Sequence, residues 1–348
     1  MIPLRILSED DVRSVLDIKS AVEYVEKAYM LKASKQGRLF PLISEEFLPG
    51  KADMDIKSGL LNGENIFGLK LVSWFGDNYK LGIPALSSLS MVFDLQNGLP
   101  KAIISSRYLT GMRTGAAGAI GVKYLAKKSS KVLFVAGTGV QSVYQIAASL
   151  SAVPTIQKVY LFNPLRYDSA CKLEHSIKEH LIEIQNDNED TDNRKWARRV
   201  QQVEFTAVDR AEESLAETDA VITVTPSHTP FIMQKWIKPG THFSCIGADM
   251  PSKQEIDEKL FNGAVVFADD IEQASKAGEI QNAIKSGLLN KLHLTEIGEL
   301  ITGNSKGRLT DRDITVFDST GIALQDLAVS KYLISIAEER NLGTVVQI

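Results

Sequence analysis

The first sustained pattern in the chain is helical. Ser8, with Asp11 three residues on, has the form of a capping box. Asp17 then caps a longer helix. Its apolar positions Ile18, Ala21, Val22, Val25, Ala28 and Tyr29 recur at spacings of three and four, and Gly37 is expected to end it. From about Glu46 to Ser105 the pattern becomes strand-like. Ile66 to Trp74 alternates, with Phe67, Leu69 and Leu71 on one face and Gly68, Lys70 and Val72 on the other. Leu86 to Phe93 predicts another strand, and Leu95-Gln96-Asn97-Gly98 a hairpin turn before Lys101 to Ser105. A helix rich in small residues follows from Ser106 to Lys127.

Beyond it, apolar runs alternate with helical stretches. Lys131 to Ala136, Lys158 to Phe162, Ala220 to Thr225 and His242 to Ile246 read as buried strands, and a helix is expected from about Gln141 to Ser151. This alternation predicts an α/β domain with a parallel sheet and crossover helices. Gln185 to Arg199 is the most polar stretch and reads as a solvated surface loop. The last helix, Thr320 to Arg340, has more apolar positions than one exposed helix needs. It is expected to pack back on the N-terminal part or to form a subunit interface.

Composition narrows the possibilities. A chain of 348 residues allows two or three domains. A formal net charge of −4 argues against nucleic acid or an anionic membrane as a partner. No run approaches the ~20 apolar residues of a membrane-spanning helix. Residues 1–11 lack the pattern of a targeting peptide. Cys171 and Cys245 read as reduced thiols of a cytoplasmic protein. The five histidines are scattered without ligand spacing, so no metal is expected.

The first chemical motif is Gly137-Thr138-Gly139-Val140-Gln141-Ser142, directly after a predicted strand and before a helix. The two glycines let backbone N–H groups approach a pyrophosphate at a helix N-terminus, where the dipole favours negative charge. Its third small residue is serine, which still permits close helix–strand packing. The second strand ends in Phe162-Asn163-Pro164-Leu165-Arg166. A carboxylate there would bond the 2′-hydroxyl of NAD. A neutral Asn163 with Arg166 close by favours NADP(H) over NAD(H), unless Arg166 is an ordinary solvated side chain. Lys70 stands out in an apolar strand, although a lysine there can also snorkel to the surface. Arg113 sits near the start of the small-residue helix. Asp249 follows an apolar strand, where doubly wound sheets place ligands. Phe317-Asp318-Ser319-Thr320-Gly321 forms a strand-to-helix junction with hydroxyl donors.

Several stretches in order resemble the ornithine cyclodeaminase/mu-crystallin family over nearly the whole chain. They are Gly68-Leu69-Lys70-Leu71-Val72-Ser73, Thr110-Gly111-Met112-Arg113-Thr114-Gly115-Ala116-Ala117, the Gly137 turn, Gly247-Ala248-Asp249-Met250-Pro251-Ser252-Lys253, Gly278-Glu279-Ile280, the Phe317 junction and Gly343-Thr344. The resemblance implies a Rossmann-like doubly wound parallel-sheet domain over residues 130–318. It also implies a discontinuous α+β domain for substrate binding and homodimerisation, residues 1–129 plus 319–348. Lys70 and Arg113 would hold a substrate carboxylate, with Arg113 also near the cofactor, and Asp249 would be the acid/base. Gly137, Gly139, Val140 and Gln141 would contact the pyrophosphate. Asn163, Thr225, Lys253, Ser319 and Thr320 would take cofactor- or substrate-contact positions.

The expected activity is NAD(P)H-dependent oxidoreduction at the C–N bond of a small α-amino or cyclic α-imino acid. Ornithine cyclodeamination, or NADPH-dependent binding without turnover as in mu-crystallin, are the alternatives. The chain departs from the family at Ile43, where an arginine usually follows the proline by two residues. It departs again at Asn163, where NAD-specific cyclodeaminases carry a carboxylate.

Overall fold

A computed structural model describes residues 1–185 and 191–348. Its backbone divides into two units, Met1–Arg113 with Ile322–Ile348, and Thr114–Gly321.

In the first unit, β1 (Pro3–Leu7) leads into α1 (Glu9–Val15) and α2 (Ile18–Ala33). The Ser8 capping box forms in full, and Asp17 caps α2 by accepting from Ser20 N–H. Helix α2 stops four residues short of the expected glycine. Ser34 closes it, its N–H donating to Met30 O, and Lys35 makes the left-handed turn at φ 58°. Gly37 instead opens a strand. A Cβ there would lie 2.8 Å from Leu324 Cδ1, the tip of a side chain that would have to shift.

The strands that follow are β2 (Gly37–Leu39), β3 (Ile43–Leu48), β4 (Ala52–Leu61), β5 (Ile66–Phe75), β6 (Leu86–Asp94) and β7 (Pro100–Ser105). They form a mixed sheet with β1 and the C-terminal strand Thr344–Gln347. The C-terminal helix Ala323–Glu339 lies on β4, β5 and β6 and against α2. This contact accounts for its excess of apolar positions: the helix packs on the N-terminal part of its own chain. Gly68 makes room for it, since a Cβ would stand 2.9 Å from Leu327 Cδ2.

Strand parity gives this sheet two chemically different faces. The helix-covered face carries Gly59, Gly68 and the fully buried Lys70. The opposite face carries a cross-strand row, Ile43 against Ile56, Ile56 against Leu71, and Leu71 against Leu89. Ile43 and Leu89 are about half exposed in this unit. Ile43 therefore belongs to an apolar surface on the side away from Lys70.

Helix α3 (Arg107–Leu125) carries Arg113, the last residue of this segment of the first unit, and then supplies the start of the second. The second unit contains β8 (Val132–Ala136), β9 (Lys158–Phe162), β10 (Glu204–Val208), β11 (Ala220–Thr223), β12 (His242–Cys245), β13 (Val265–Ala268), β14 (Thr295–Glu296) and β15 (Thr315–Asp318). Their order is β10-β9-β8-β11-β12-β15-β13-β14, and every pair is parallel. This is the parallel sheet the alternation predicts, in the Rossmann-like doubly wound form the family resemblance implies. Gly115, Gly118 and Gly121 bring α3 close to its neighbours, because a Cβ would collide with Tyr144 O, Gln145 Oε1 and Ser244 Oγ respectively.

The crossover helices include α4 (Val140–Ala152), α5 (Tyr167–Ile184) and α6 (Thr191–Gln201). Helix α6 corrects the loop reading of the polar stretch. Trp196 and Val200, one turn apart, are buried, and the Trp196 indole N–H donates to Leu181 O at 2.7 Å. Two apolar residues at that spacing suffice to seat an otherwise charged helix. Residues 186–190 of that stretch, with the acidic Asp187, Glu189 and Asp190, lie outside the described residues. No helix among the described residues is long and apolar enough to cross a membrane.

Candidate active site

The predicted residues fall into two groups, one in each unit. In the first unit, Lys70 Nζ lies 2.8 Å from Asp326 Oδ1, and Arg113 Nε lies 3.2 Å from the same oxygen. Lys70 is only 1% exposed, so it is a buried ion-pair partner and not a snorkelling surface lysine. Arg113 Nη1 also donates to Gln325 Oε1 at 3.1 Å, and Gln325 Nε2 donates to Tyr29 Oη at 2.5 Å. Asp326 Oδ2 is buried with no hydrogen-bond partner among the described residues.

Two cations thus share one carboxylate oxygen away from water. Burial, and then the Arg113 charge, pull the Lys70 ammonium down to about 7, while Asp326 works against both. Burial opposes the Asp326 charge too, yet Arg113 and Lys70 hold its carboxyl below the usual range. With Lys70 protonated the trio is left one positive charge in excess, which a carboxylate can balance.

The second unit carries the glycine turn between β8 and α4. Gly137 has φ 122°, and a Cβ there would sit 2.6 Å from Val224 O. Only glycine fits that backbone. Gly139 differs: it is the N-cap of α4, no side chain caps that helix, and a Cβ would meet nothing within 4 Å. Val140 is exposed, and Gln141 Oε1 is buried with no hydrogen-bond partner among the described residues. An uncapped helix N-terminus behind an open glycine matches what a pyrophosphate requires, so these residues fit the dinucleotide.

Asn163 is tied into the same turn. Its Nδ2 donates to Thr138 Oγ1 at 2.7 Å, and its Oδ1 accepts from Leu165 N and Arg166 N at 3.0 Å each. Arg166, at the start of α5, is exposed. Thr225 is buried, and both its N–H (2.6 Å) and its hydroxyl (2.7 Å) donate to Glu255 Oε1. Gly247 N donates to the other Glu255 oxygen at 3.0 Å. Glu255 therefore joins the loops after β11 and β12. Burial raises its carboxyl to about 7, against the pull of these hydrogen bonds.

Asp249 is exposed on the loop after β12, its Oδ1 paired with Lys253 Nζ at 2.5 Å. The hydroxyls of Ser319 and Thr320 donate to the buried Asp269 at 2.9 and 3.2 Å. Glu279 accepts from Glu255 N (2.8 Å) and Ile256 N (2.7 Å), and Asp318 accepts from Ile280 N (3.0 Å). Burial raises both of these carboxyls well above their ordinary range. Among the described residues no group of His, Cys, Asp or Glu is arranged to hold a metal ion.

Sequence reasoning missed Asp326, Gln325 and Tyr29, and gave Glu255 and Asp269 no role. One signal was available. Asp326 is an acidic residue in the first turn of a helix with an excess of apolar positions.

The family model for the ornithine cyclodeaminase/mu-crystallin family matches residues 4–191 and 168–341. An archaeal alanine dehydrogenase, solved as a dimer with bound NAD, is 32% identical, with both chains fully covered and a TM-score of 0.87. The iminosuccinate reductase of Paracoccus denitrificans, solved with NAD+, is 29% identical over 100% of this chain and 99% of its own, at a TM-score of 0.85. The Δ1-pyrroline-2-carboxylate reductase of Thermococcus litoralis, solved with NADH and L-proline, is 26% identical over 98% of this chain and 100% of its own, at a TM-score of 0.86.

Proposed function

This chain belongs to the ornithine cyclodeaminase/mu-crystallin family, and from that premise we propose that it is an NAD(P)H-dependent oxidoreductase acting at the C–N bond of a small α-amino or cyclic α-imino acid. The observation that carries this reading is the buried Lys70–Arg113–Asp326 trio, one positive charge in excess. Its partner is the substrate carboxylate, held by charge-assisted hydrogen bonds from Lys70 and Arg113. Holding that end fixes the α-carbon, and positioning of this kind lowers a barrier by up to ~7–11 kcal/mol. When bound, the nicotinamide supplies the hydride that an imine carbon takes, or accepts one from an amine carbon. Asp249 gives the substrate nitrogen its proton in the reductive direction and takes it in the oxidative one. Gly137, Gly139, Val140 and Gln141 would hold the pyrophosphate, with Thr225, Lys253, Ser319 and Thr320 lining the cofactor and substrate.

We assign NADP(H) as the preferred cofactor. Asn163 brings no carboxylate to the ribose position, and Arg166 is exposed beside it. The relatives named above were solved with NAD or NADH, which makes cofactor identity the first measurement. Tight binding raises the unfolding temperature by mass action. A larger thermal shift with NADH than with NADPH refutes the assignment. We also assign a homodimer, with the apolar row Ile43, Ile56, Leu71 and Leu89 as its contact.

The activity test follows oxidation of the reduced nicotinamide with Δ1-pyrroline-2-carboxylate, Δ1-piperideine-2-carboxylate, iminosuccinate, and pyruvate with ammonia. Turnover of at least one is expected. Conversion of ornithine to proline with catalytic NAD, and no turnover of the imino acids, overturns the reading in favour of a cyclodeaminase.

A further inference from the structure

We infer that Gln281, Ser252 and His228 form a latch that presets the Asp249 loop. The inference rests on Asp249 being the acid/base proposed above. The loop 249–253 is exposed along most of its length, yet its backbone is fixed from beneath. Gln281 is fully buried. Its Nε2 donates to Met250 O at 3.3 Å, Lys253 O at 3.2 Å and Gly278 O at 2.9 Å, while its Oε1 accepts from Ser252 N at 3.0 Å. One side-chain amide thus holds the backbone of three loop residues, all C-terminal to Asp249.

Ser252 is the strained member of the loop. Its φ is 72°, a left-handed conformation that a residue with a Cβ adopts only when its surroundings impose it. Its hydroxyl lies 3.0 Å from His228 Nδ1. His228 is fixed in turn, because the Ser227 hydroxyl donates to Thr229 O at 2.7 Å and accepts from Thr229 N at 3.2 Å. Gln254 N donates to Ser227 O at 2.9 Å, a second tie between the two loops. The Lys253–Asp249 ion pair closes the same loop across its ends. The strain at Ser252 is therefore balanced at both its N–H and its hydroxyl, and the product of that balance is one position for Asp249. Gln281, Ser252 and His228 are positioning residues. None of them is assigned a proton of the reaction.

The test uses the full-length enzyme with an imino acid it turns over. Ser252→Gly keeps the left-handed backbone without strain and removes the hydroxyl, and His228→Ala removes its partner. Both changes are at exposed positions that leave folding intact. Each is expected to lower kcat roughly ten- to hundredfold, the scale of a misplaced catalytic group. The thermal shift produced by the nicotinamide cofactor should fall only slightly, because Lys253 alone of the proposed cofactor contacts lies on this loop. Amide hydrogen exchange across residues 248–253 should speed up in both variants. His228→Asn, which restores a hydrogen-bonding group near the Nδ1 position, should recover most of kcat and most of the protection. Wild-type exchange in both variants, or kcat within about twofold of wild type, overturns the latch. Asp249→Asn separates the two readings. If it is inactive while the latch variants behave as wild type, only the latch fails. If it keeps full kcat, the acid/base reading fails and takes the latch with it.

Discussion

Replacing Asp326 by asparagine isolates what the shared carboxylate does for two buried cations. Lys70 and Arg113 lose the same oxygen, but they respond differently. Lys70 can release its proton, and its ammonium is already down at about 7 from an ordinary 10.5. A guanidinium has no such escape. The stability loss therefore comes mainly from Arg113, and breaking a buried pair by removing one partner costs about 3–5 kcal/mol. With an unfolding entropy of about 2 cal/mol/K per residue, that is a fall of roughly 4–7 °C if the whole chain unfolds together. The Lys70 contribution shows in the pH dependence. Its folded pKa lies below its unfolded value, so the unfolded chain binds more protons between about 7 and 10.5, and stability rises with pH across that window. In Asp326→Asn the lower edge of the window moves below 7. A neutral Lys70 then weakens substrate binding by one charge-assisted hydrogen bond, about 1.5–3 kcal/mol, or roughly 10- to 150-fold in KM at neutral pH. Calorimetry across pH and steady-state kinetics read both effects. An unfolding temperature and KM equal to wild type at pH 7 would refute the shared-carboxylate argument.

Three further outcomes are expected. Gly139→Ala should leave the unfolding temperature unchanged without cofactor yet weaken dinucleotide binding at least tenfold. Gly137→Ala should lower the temperature itself, because its Cβ meets Val224 O; equal behaviour of the two in thermal-shift titration would contradict the glycine assignment. Glu255 has a folded pKa of about 7, above its ordinary 4.5, so it contributes a loss of stability as pH rises through that interval. Glu255→Gln should flatten this slope in denaturant titrations at several pH values, and an unchanged slope removes Glu255 as its source. On the proposed homodimer, Leu71→Asp in the apolar row should shift sedimentation from dimer to monomer, and a wild-type chain that sediments as a monomer removes the proposal.

The parts of the fold that read clearly from sequence are those set by local periodicity. The alternation of β5, the apolar runs of β8 and β9 and the glycine turn between β8 and α4 are each written in a few consecutive residues. What stayed hidden depends on partners far along the chain. Lys70 and Asp326 are separated by 256 positions, so no window on the sequence shows that the conspicuous lysine already has a counter-ion. The hydroxyls of Thr225 and Ser319 looked like free ligand donors, but Glu255 and Asp269 take them. Helix α6 was obscured because its charged composition outweighs the single Trp196–Val200 pair that seats it. Gly37 was misread for a related reason. A glycine after a helical pattern suggests a terminus, but this one begins β2 and lies close beneath Leu324.

The two faces of β5 place unrelated tasks on neighbouring residues. Lys70 points to the helix-covered side and Leu71, next in line, to the open apolar side. A strand repeats every two residues, so a single inserted or deleted residue near its start would exchange the two faces in one step. The ammonium would emerge among isoleucines and leucines while a leucine faced Asp326. Loops elsewhere in the chain can lengthen with little penalty. Here a change of length by one residue is excluded, so the buried face of Lys70 and the outer apolar face keep or lose their register together.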